Sequence, residues 1–440
     1  MRRLRIVVHD YAGHPFEVQL SRELARRGHE VLHLYCPAYN SGKGSLERQS
    51  GDSPSFKCTP VVLETFDKHA VVRRGFQEIR YGRSLGRCIA EAAPDVVISA
   101  NAPLLSQWHA IHAARSAGAA FVFWLQDIIS VAAQRVLDER VPFGRHAGRP
   151  LAALERRMLA QSDAVVAISE DFRELLARWG IPPDDVSVIE NWAPLDELPM
   201  CSADNAWASE HGLTNKRVLL YSGTLGLKHN PDLLLALARR FRDERDVRVV
   251  IVSEGESAAA LAVAKRVEQL NTLVLLPFQP YARLPEVMGA ASVLVAILER
   301  DAGVYSVPSK VLSYLCAGRP VLASVPPENL AGQILQRSGG GIVVLPEDVD
   351  GFVDAAARLI ADPVERDRAG RAARAYAVET FDVAPIASRF EVIVERARMR
   401  RMTQPRRSRA GRAGGVGVRG VPNGELIAEP THQREPHRGT

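Results

Sequence analysis

Cysteine is scarce in this chain of 440 residues. Cys36, Cys58, Cys88, Cys201 and Cys316 are odd in number, and no two form a Cys-x-x-Cys pair. That usage argues against a disulfide framework and against a zinc site, and fits a reducing cytoplasm. Long apolar runs are missing too: no stretch approaches the ~20 residues of a membrane-spanning helix. No secretory leader is read at the start, because Met1-Arg2-Arg3 passes straight into a strand-like run, Leu4 to Val8. The expectation is a soluble, cytoplasmic body. Ser-His-Asp, phosphate-loop and His-Glu-x-x-His arrangements are absent, as is any short repeat that would build a solenoid.

Acids are absent between Arg396 and Gly420, where nine arginines fall. Those nine exceed the net charge of +5, so the rest of the chain is net negative. A body of that sign does not suit nucleic-acid binding as a main task. The arginine-rich end reads as a disordered basic tail over 401–440. Two roles stay open for it, a solvated terminus or a contact with acidic headgroups or nucleic acid.

What the chain does have is ordinary globular composition, 46% apolar and 24% charged, over a length that calls for two domains. Strand-like runs at 4–8, 30–35, 96–99, 120–125, 164–168 and 186–189 alternate with helical stretches. Periodicity fails between Pro194 and Lys216, then strands resume at 217–221, 247–252, 272–276, 293–297, 320–323 and 341–345. This is the βα pattern of parallel doubly wound sheets. The reading is a first domain over 1–198, a connection over 199–216, a second domain over 217–383 and a closing helix over 384–400 that returns to the junction. Ligands of such sheets bind beyond the carboxyl ends of the strands.

The strongest local pattern is Tyr221-Ser222-Gly223-Thr224-Leu225-Gly226-Leu227-Lys228-His229-Asn230-Pro231, between a strand and a helix. Asn230 can cap that helix with Pro231 in its first turn. Glycine lets a ligand approach backbone, and a helix N-terminus attracts phosphate but disfavours a nearby cation such as Lys228. A bound diphosphate resolves that conflict; a plain turn with a surface lysine is the alternative. Val307-Pro308-Ser309-Lys310 repeats the arrangement, with Lys310 in the first turn of a helix stopped by Gly318. The two lysines together read as a diphosphate clamp. Ser253-Glu254-Gly255 and Pro277-Phe278-Gln279-Pro280-Tyr281 end neighbouring strands on the same edge. In the first half, Gln126-Asp127 follows an apolar strand. Asp127 either orients and deprotonates an acceptor hydroxyl or caps the segment that follows. Gly13, between His9, Asp10 and His14, marks a loop where backbone is open to an acceptor. The helical stretch carrying Phe76, Arg80, Arg83 and Arg87 is either a solvated face or a rest on an anionic membrane.

Gly223 to Lys228, Ser253 to Gly255, Leu276 to Tyr281 and Pro308-Ser309-Lys310 with Ala317-Gly318-Arg319-Pro320-Val321 resemble, in that order, the family 4 retaining glycosyltransferases. Arg27 to Val31, Gln126-Asp127 and Ile189-Glu190-Asn191-Trp192 agree. Within that family the chain is most similar to colanic acid biosynthesis glycosyltransferases and related enzymes of exopolysaccharide and O-antigen assembly. The resemblance spans about 4–398. It implies the GT-B fold, an α/β architecture of two facing Rossmann-like domains with a cleft between them and a C-terminal helix crossing the junction. It also implies transfer of a hexose-type sugar with retention from a nucleotide-diphosphate donor to a lipid-linked saccharide acceptor, with no metal and no cofactor.

Carried over by position, Asp127, Lys228 and Lys310 are the candidate catalytic groups. The donor would be lined by Gly223, Thr224, Lys228, Glu254, Gly255, Gln279, Pro280, Tyr281, Val307, Ser309, Lys310 and Ser313, the acceptor by Gly13, Gln126 and Asp127. Three departures stand out. The family's paired glutamates fall on Tyr305 and Ser313, its phosphate-binding arginine on Thr224 and its pocket histidine on Gln126. A sugar-nucleotide 2-epimerase of the same architecture and a non-catalytic nucleotide-sugar-binding scaffold are the alternative readings. The expected place is the cytoplasm, with peripheral contact at the inner face of the cell membrane and no nucleic-acid partner.

Overall fold

The computed structural model describes residues 2–38, 43–62, 71–100, 102–131, 144–226, 229–300 and 309–403. The first lobe is a seven-stranded sheet of β1 (Arg5–Asp10), β2 (Glu30–Tyr35), β3 (Phe56–Pro60), β4 (Val96–Ala100), β5 (Ala120–Leu125), β6 (Ala164–Ala167) and β7 (Val186–Val188). Their order is β3-β2-β1-β4-β5-β6-β7, every pair parallel. The helices between them are α1 (Pro15–Arg26), α2 (Val71–Ala92), α3 (Leu104–Ser116), α4 (Gly144–Gln161) and α5 (Asp171–Arg178). Parallel strands need such crossovers, and helices on both faces explain why β4, β5 and β6 are buried along their whole length.

The second lobe repeats the plan with six parallel strands, ordered β10-β9-β8-β11-β12-β13. They are β8 (Arg217–Ser222), β9 (Val247–Val252), β10 (Leu273–Leu276), β11 (Val293–Ile297), β12 (Val321–Ser324) and β13 (Gly341–Val344). The accompanying helices are α6 (Ala206–Glu210), α7 (Pro231–Arg240), α8 (Glu256–Val267), α9 (Leu284–Gly289), α10 (Ser309–Cys316), α11 (Leu330–Ser338), α12 (Val349–Ala361) and α13 (Pro363–Thr380). In both sheets the strand order reverses next to the first strand, between β1 and β4 and between β8 and β11. Loops leaving those ends diverge and open a crevice, the usual ligand position in open parallel sheets. This is the GT-B fold.

Local chemistry marks the element ends. Asn230 accepts the Asp232 N–H as the N-cap of α7, and Pro231 follows it. Gly28 closes α1 and Gly318 closes α10 with φ of 98° and 66°, conformations that cost a residue with a Cβ.

The stretch 199–216 is less irregular than its Ser, Asn and Asp content implies. It holds α6, capped by Asn205, with Trp207 fully buried. Two arginines of the second lobe hold its start: Arg374 donates to the carbonyls of Leu198 and Cys316, and Arg319 to those of Cys201 and Gly289. After α13 the chain enters α14 (Val383–Thr403), which packs on the first lobe. There Phe390 meets Trp124 edge-on at 4.7 Å, and Glu391 bonds both Arg27 and His29. The arginine-rich stretch therefore begins inside a helix, where Arg398 pairs with Glu395 and Arg400 with Asp185. The tail beyond Thr403 lies outside the described residues.

Candidate functional site

At the carboxyl end of β8 the chain turns through Gly223 at φ 141°, a value that excludes a β-branched residue and strains any side chain. Facing it is Lys310, the second residue of α10. Its Nζ donates to the Tyr221 hydroxyl and stands 3.9 Å from the centroid of the same ring. A Cβ at Gly223 would lie 3.3 Å from both Cε and Nζ of the lysine. One turn further along α10, the Tyr314 hydroxyl accepts the Ser222 N–H at 2.9 Å and donates to the Ser222 carbonyl. These bonds stitch α10 to the end of β8 and keep Lys310 over the glycine.

No carboxylate among the described residues pairs with Lys310. Burial pulls its pKa down to about 7 from 10.5, because a desolvated ammonium without a counter-charge is poorly stabilised. Ser309 is exposed at the helix start, and Ser313 shares its face one turn on. Thr224 is exposed, and its carbonyl accepts the Tyr221 hydroxyl at 2.7 Å. Lys228 and Val307, like Tyr305, lie outside the described residues.

The ends of β9 and β10 meet beside this loop. Glu254 accepts the Phe278 N–H at 3.0 Å, and Gly255, at φ 102°, opens α8. Gln279 and Tyr281 turn their polar atoms away from solvent. Gln279 accepts the Trp207 indole N–H at 2.9 Å and donates to the Pro277 carbonyl. Pro280 precedes a single turn, Tyr281–Arg283. The Tyr281 hydroxyl is held above its ordinary pKa by burial and by the Glu197 carboxylate.

On the first lobe, Gln126 and Asp127 follow β5 directly. Gln126 is buried, and its carbonyl oxygen accepts an N–H of Asn191 at 2.5 Å. Asp127 is exposed. The N–H groups that it would cap, those of Ile129 and Ser130, instead donate to Glu155 at 3.0 Å each, and the Ser130 hydroxyl joins them. Glu155 on α4 thus serves the backbone just after Asp127.

Gly13, at φ 77°, lies beneath the 43–46 segment, where Leu46 is the nearest side chain. His9 is removed from solvent, bonded to Ser99 and Tyr81. Burial lowers its pKa to about 3, so it stays neutral. Asp10 accepts the N–H of Ala12 at 2.9 Å and that of His14. The His14 ring lies 3.4 Å from the Asp10 carboxylate and 3.9 Å from Glu17. Burial alone would lower the His14 pKa; the Asp10 charge, its hydrogen bond and the more distant Asp127 raise it overall. Ligand atoms of Asp10, His14 and Glu17 fall within 4.8 Å of one another, close enough to share a cation. Two backbone donors and a histidine already serve Asp10.

Residues 18–192 match the family described as glycosyl transferase 4-like domain, and residues 204–376 the family described as glycosyl transferases group 1. A putative colanic acid biosynthesis glycosyl transferase of Escherichia coli (strain K12) is 25% identical over 242 residues, which are 54% of this chain and 58% of that relative. The chain thus spans less than two thirds of that relative's length. Among solved structures, Anabaena HepE in complex with UDP and glucose superposes with a TM-score of 0.64 at 16% identity, covering 89% of this chain and 100% of the other. Sucrose-phosphate synthase from Thermosynechococcus elongatus gives 0.64 at 15%, covering 89% and 98%. WaaG, a glycosyltransferase involved in lipopolysaccharide biosynthesis, gives 0.63 at 15%, covering 88% and 99%.

The environment of Lys310 has a consequence for stability. Between pH 7 and 10.5 the unfolded chain holds a proton on this lysine that the folded chain has released, so the lysine's contribution to stability rises with pH across that window. Lys310→Met removes the buried amine. Urea denaturation at pH 7 should show the variant more stable than the parent, and the gap should close towards pH 10. A gap independent of pH would contradict the desolvated state of Lys310.

Proposed function

The chain belongs to the glycosyl transferases that join a 4-like domain to a group 1 domain, and on that premise we propose that it transfers a hexose-type sugar, with retention, from a nucleotide diphosphate to a lipid-linked saccharide. The observation that carries the proposal is the Lys310 ammonium, desolvated and without a carboxylate partner among the described residues, over the bare backbone of Gly223 at the strand reversal of the second sheet. A diphosphate supplies the missing charge. Breaking the sugar–phosphate bond leaves negative charge on the departing diphosphate. A fixed ammonium and the N-terminus of α10 stabilise that charge without reorganising.

Lys228, Val307 and Ser309 complete the phosphate side in this reading. Gly223 and Thr224 line the diphosphate, and Ser313 stands on the ribose side. Glu254, Gly255, Gln279, Pro280 and Tyr281 form the nucleoside edge, with Gln279 and Tyr281 buttressing it from behind. Asp127, whose carboxylate is exposed at the end of β5, orients or deprotonates the acceptor hydroxyl beside Gln126 and Gly13. Charge neutralisation by lysine replaces a metal, so no metal and no cofactor is required. The colanic acid relative of Escherichia coli and WaaG, involved in lipopolysaccharide biosynthesis, favour a place in cell-surface polysaccharide assembly.

No helix among the described residues is long and apolar enough to cross a membrane. Phe76, Arg80, Arg83 and Arg87 are exposed at helical spacing along one face of α2. That stripe suits an anionic lipid surface at the inner face of the cell membrane, where a lipid-linked acceptor would be reached from the cytoplasm.

Donor turnover is read by nucleoside diphosphate release from a panel of nucleotide sugars. Lys310→Ala should lower turnover of the preferred donor roughly 10²–10³-fold with folding intact. Parental turnover in a folded variant would remove the site assignment. Conversion of the free sugar nucleotide without transfer would point instead to the epimerase, and binding without either reaction to a scaffold. Sedimentation with vesicles tests the membrane surface: the chain should follow anionic but not neutral vesicles, and a triple charge reversal at Arg80, Arg83 and Arg87 should release it. Equal recovery with both vesicles would contradict the role given to α2.

A further inference from the structure

Tyr221 is a polar residue in a buried strand, only 1% exposed, among the leucines and valines of the second lobe's core. A phenylalanine would fill that core equally well, so the hydroxyl needs its own explanation. It has two partners. It donates to the carbonyl of Thr224 and accepts the ammonium of Lys310, 89 residues away in sequence. The ring serves the same ammonium from below, at 3.9 Å, where a cation and an aromatic face attract. Gly223 closes the other side, without a Cβ to push the lysine out. A side chain with four rotatable bonds is thereby confined to one place.

We propose, building on the donor reading above, that Tyr221 is a positioning residue: it seats the Lys310 ammonium beside the Gly223–Thr224 turn before the donor arrives and ties that turn to the lysine. Burial, with Tyr314 nearby, holds the Tyr221 hydroxyl above its ordinary pKa. It therefore stays protonated, donating to Thr224 while a lone pair remains for Lys310. Seating the cation in advance removes a cost that binding would otherwise carry, because a loose lysine loses rotamer freedom when it meets a phosphate.

The test is a double-mutant cycle on the full chain, read by calorimetric titration with UDP, GDP and ADP, using whichever binds tightest. Tyr221→Phe keeps the ring and deletes only the hydroxyl. It should weaken binding roughly ten- to hundredfold, the range for a hydrogen bond to a charged group, while the melting temperature holds. Lys310→Met should weaken binding at least as much. The double variant should bind no worse than Lys310→Met alone, because the hydroxyl acts through the lysine. Additive losses, or unchanged binding by Tyr221→Phe, would overturn the role of Tyr221 while leaving the donor reading in place. Failure of the parent chain to bind any of the three nucleotides would overturn both.

Discussion

A half-buried, desolvated ammonium is unfavourable without a counter-charge, and Lys310 has no carboxylate partner among the described residues. Lys310 is fixed by its place in the first turn of α10, by Tyr314 stitching that helix to Ser222, and by the ring and hydroxyl of Tyr221 beneath it. What these groups provide is position; none of them provides negative charge. Burial lowers the Lys310 pKa to about 7, a cost that an anion at Gly223 would offset. In the proposed reading, that deficit is what draws a phosphate to this edge.

The first lobe handles its charges differently. Asp10 is surrounded by donors and a histidine, Glu155 by two backbone N–H groups and a hydroxyl, and His9 is kept neutral in a closed network with Ser99 and Tyr81. Such satisfied groups specify the shape of the loops after β1 and β5. Asp127 is exposed at the end of β5. α14 then fastens the end of the second lobe to the first through Phe390 and Glu391. The chain crosses between lobes near Leu198 and returns near Val383, so both crossings are short and held by packed residues on either side.

Much of this was legible without coordinates. Apolar runs separated by capped helices carry the doubly wound pattern, because parallel strands buried on both faces must be apolar throughout. Asn230, Pro231, Gly28 and Gly318 mark their helix ends through local chemistry alone. Lys310 was legible as an ill-placed cation at a helix start. What stayed hidden depends on partners far apart in sequence. Nothing in the spacing links Tyr221 to Lys310, or Glu155 to the backbone after Asp127. The burial of Trp207 is hidden in the sequence for a similar reason. A lone indole among serines and asparagines has no periodic neighbours, yet it is buried once Gln279 takes its N–H.

A structure of the chain bound to a nucleoside diphosphate tests the central claim most directly. The account predicts the Lys310 Nζ within about 3 Å of a diphosphate oxygen, with the phosphates lying against the backbone of Gly223. A diphosphate held elsewhere on the chain, or one at Gly223 with Lys310 making no contact to it, would contradict the account.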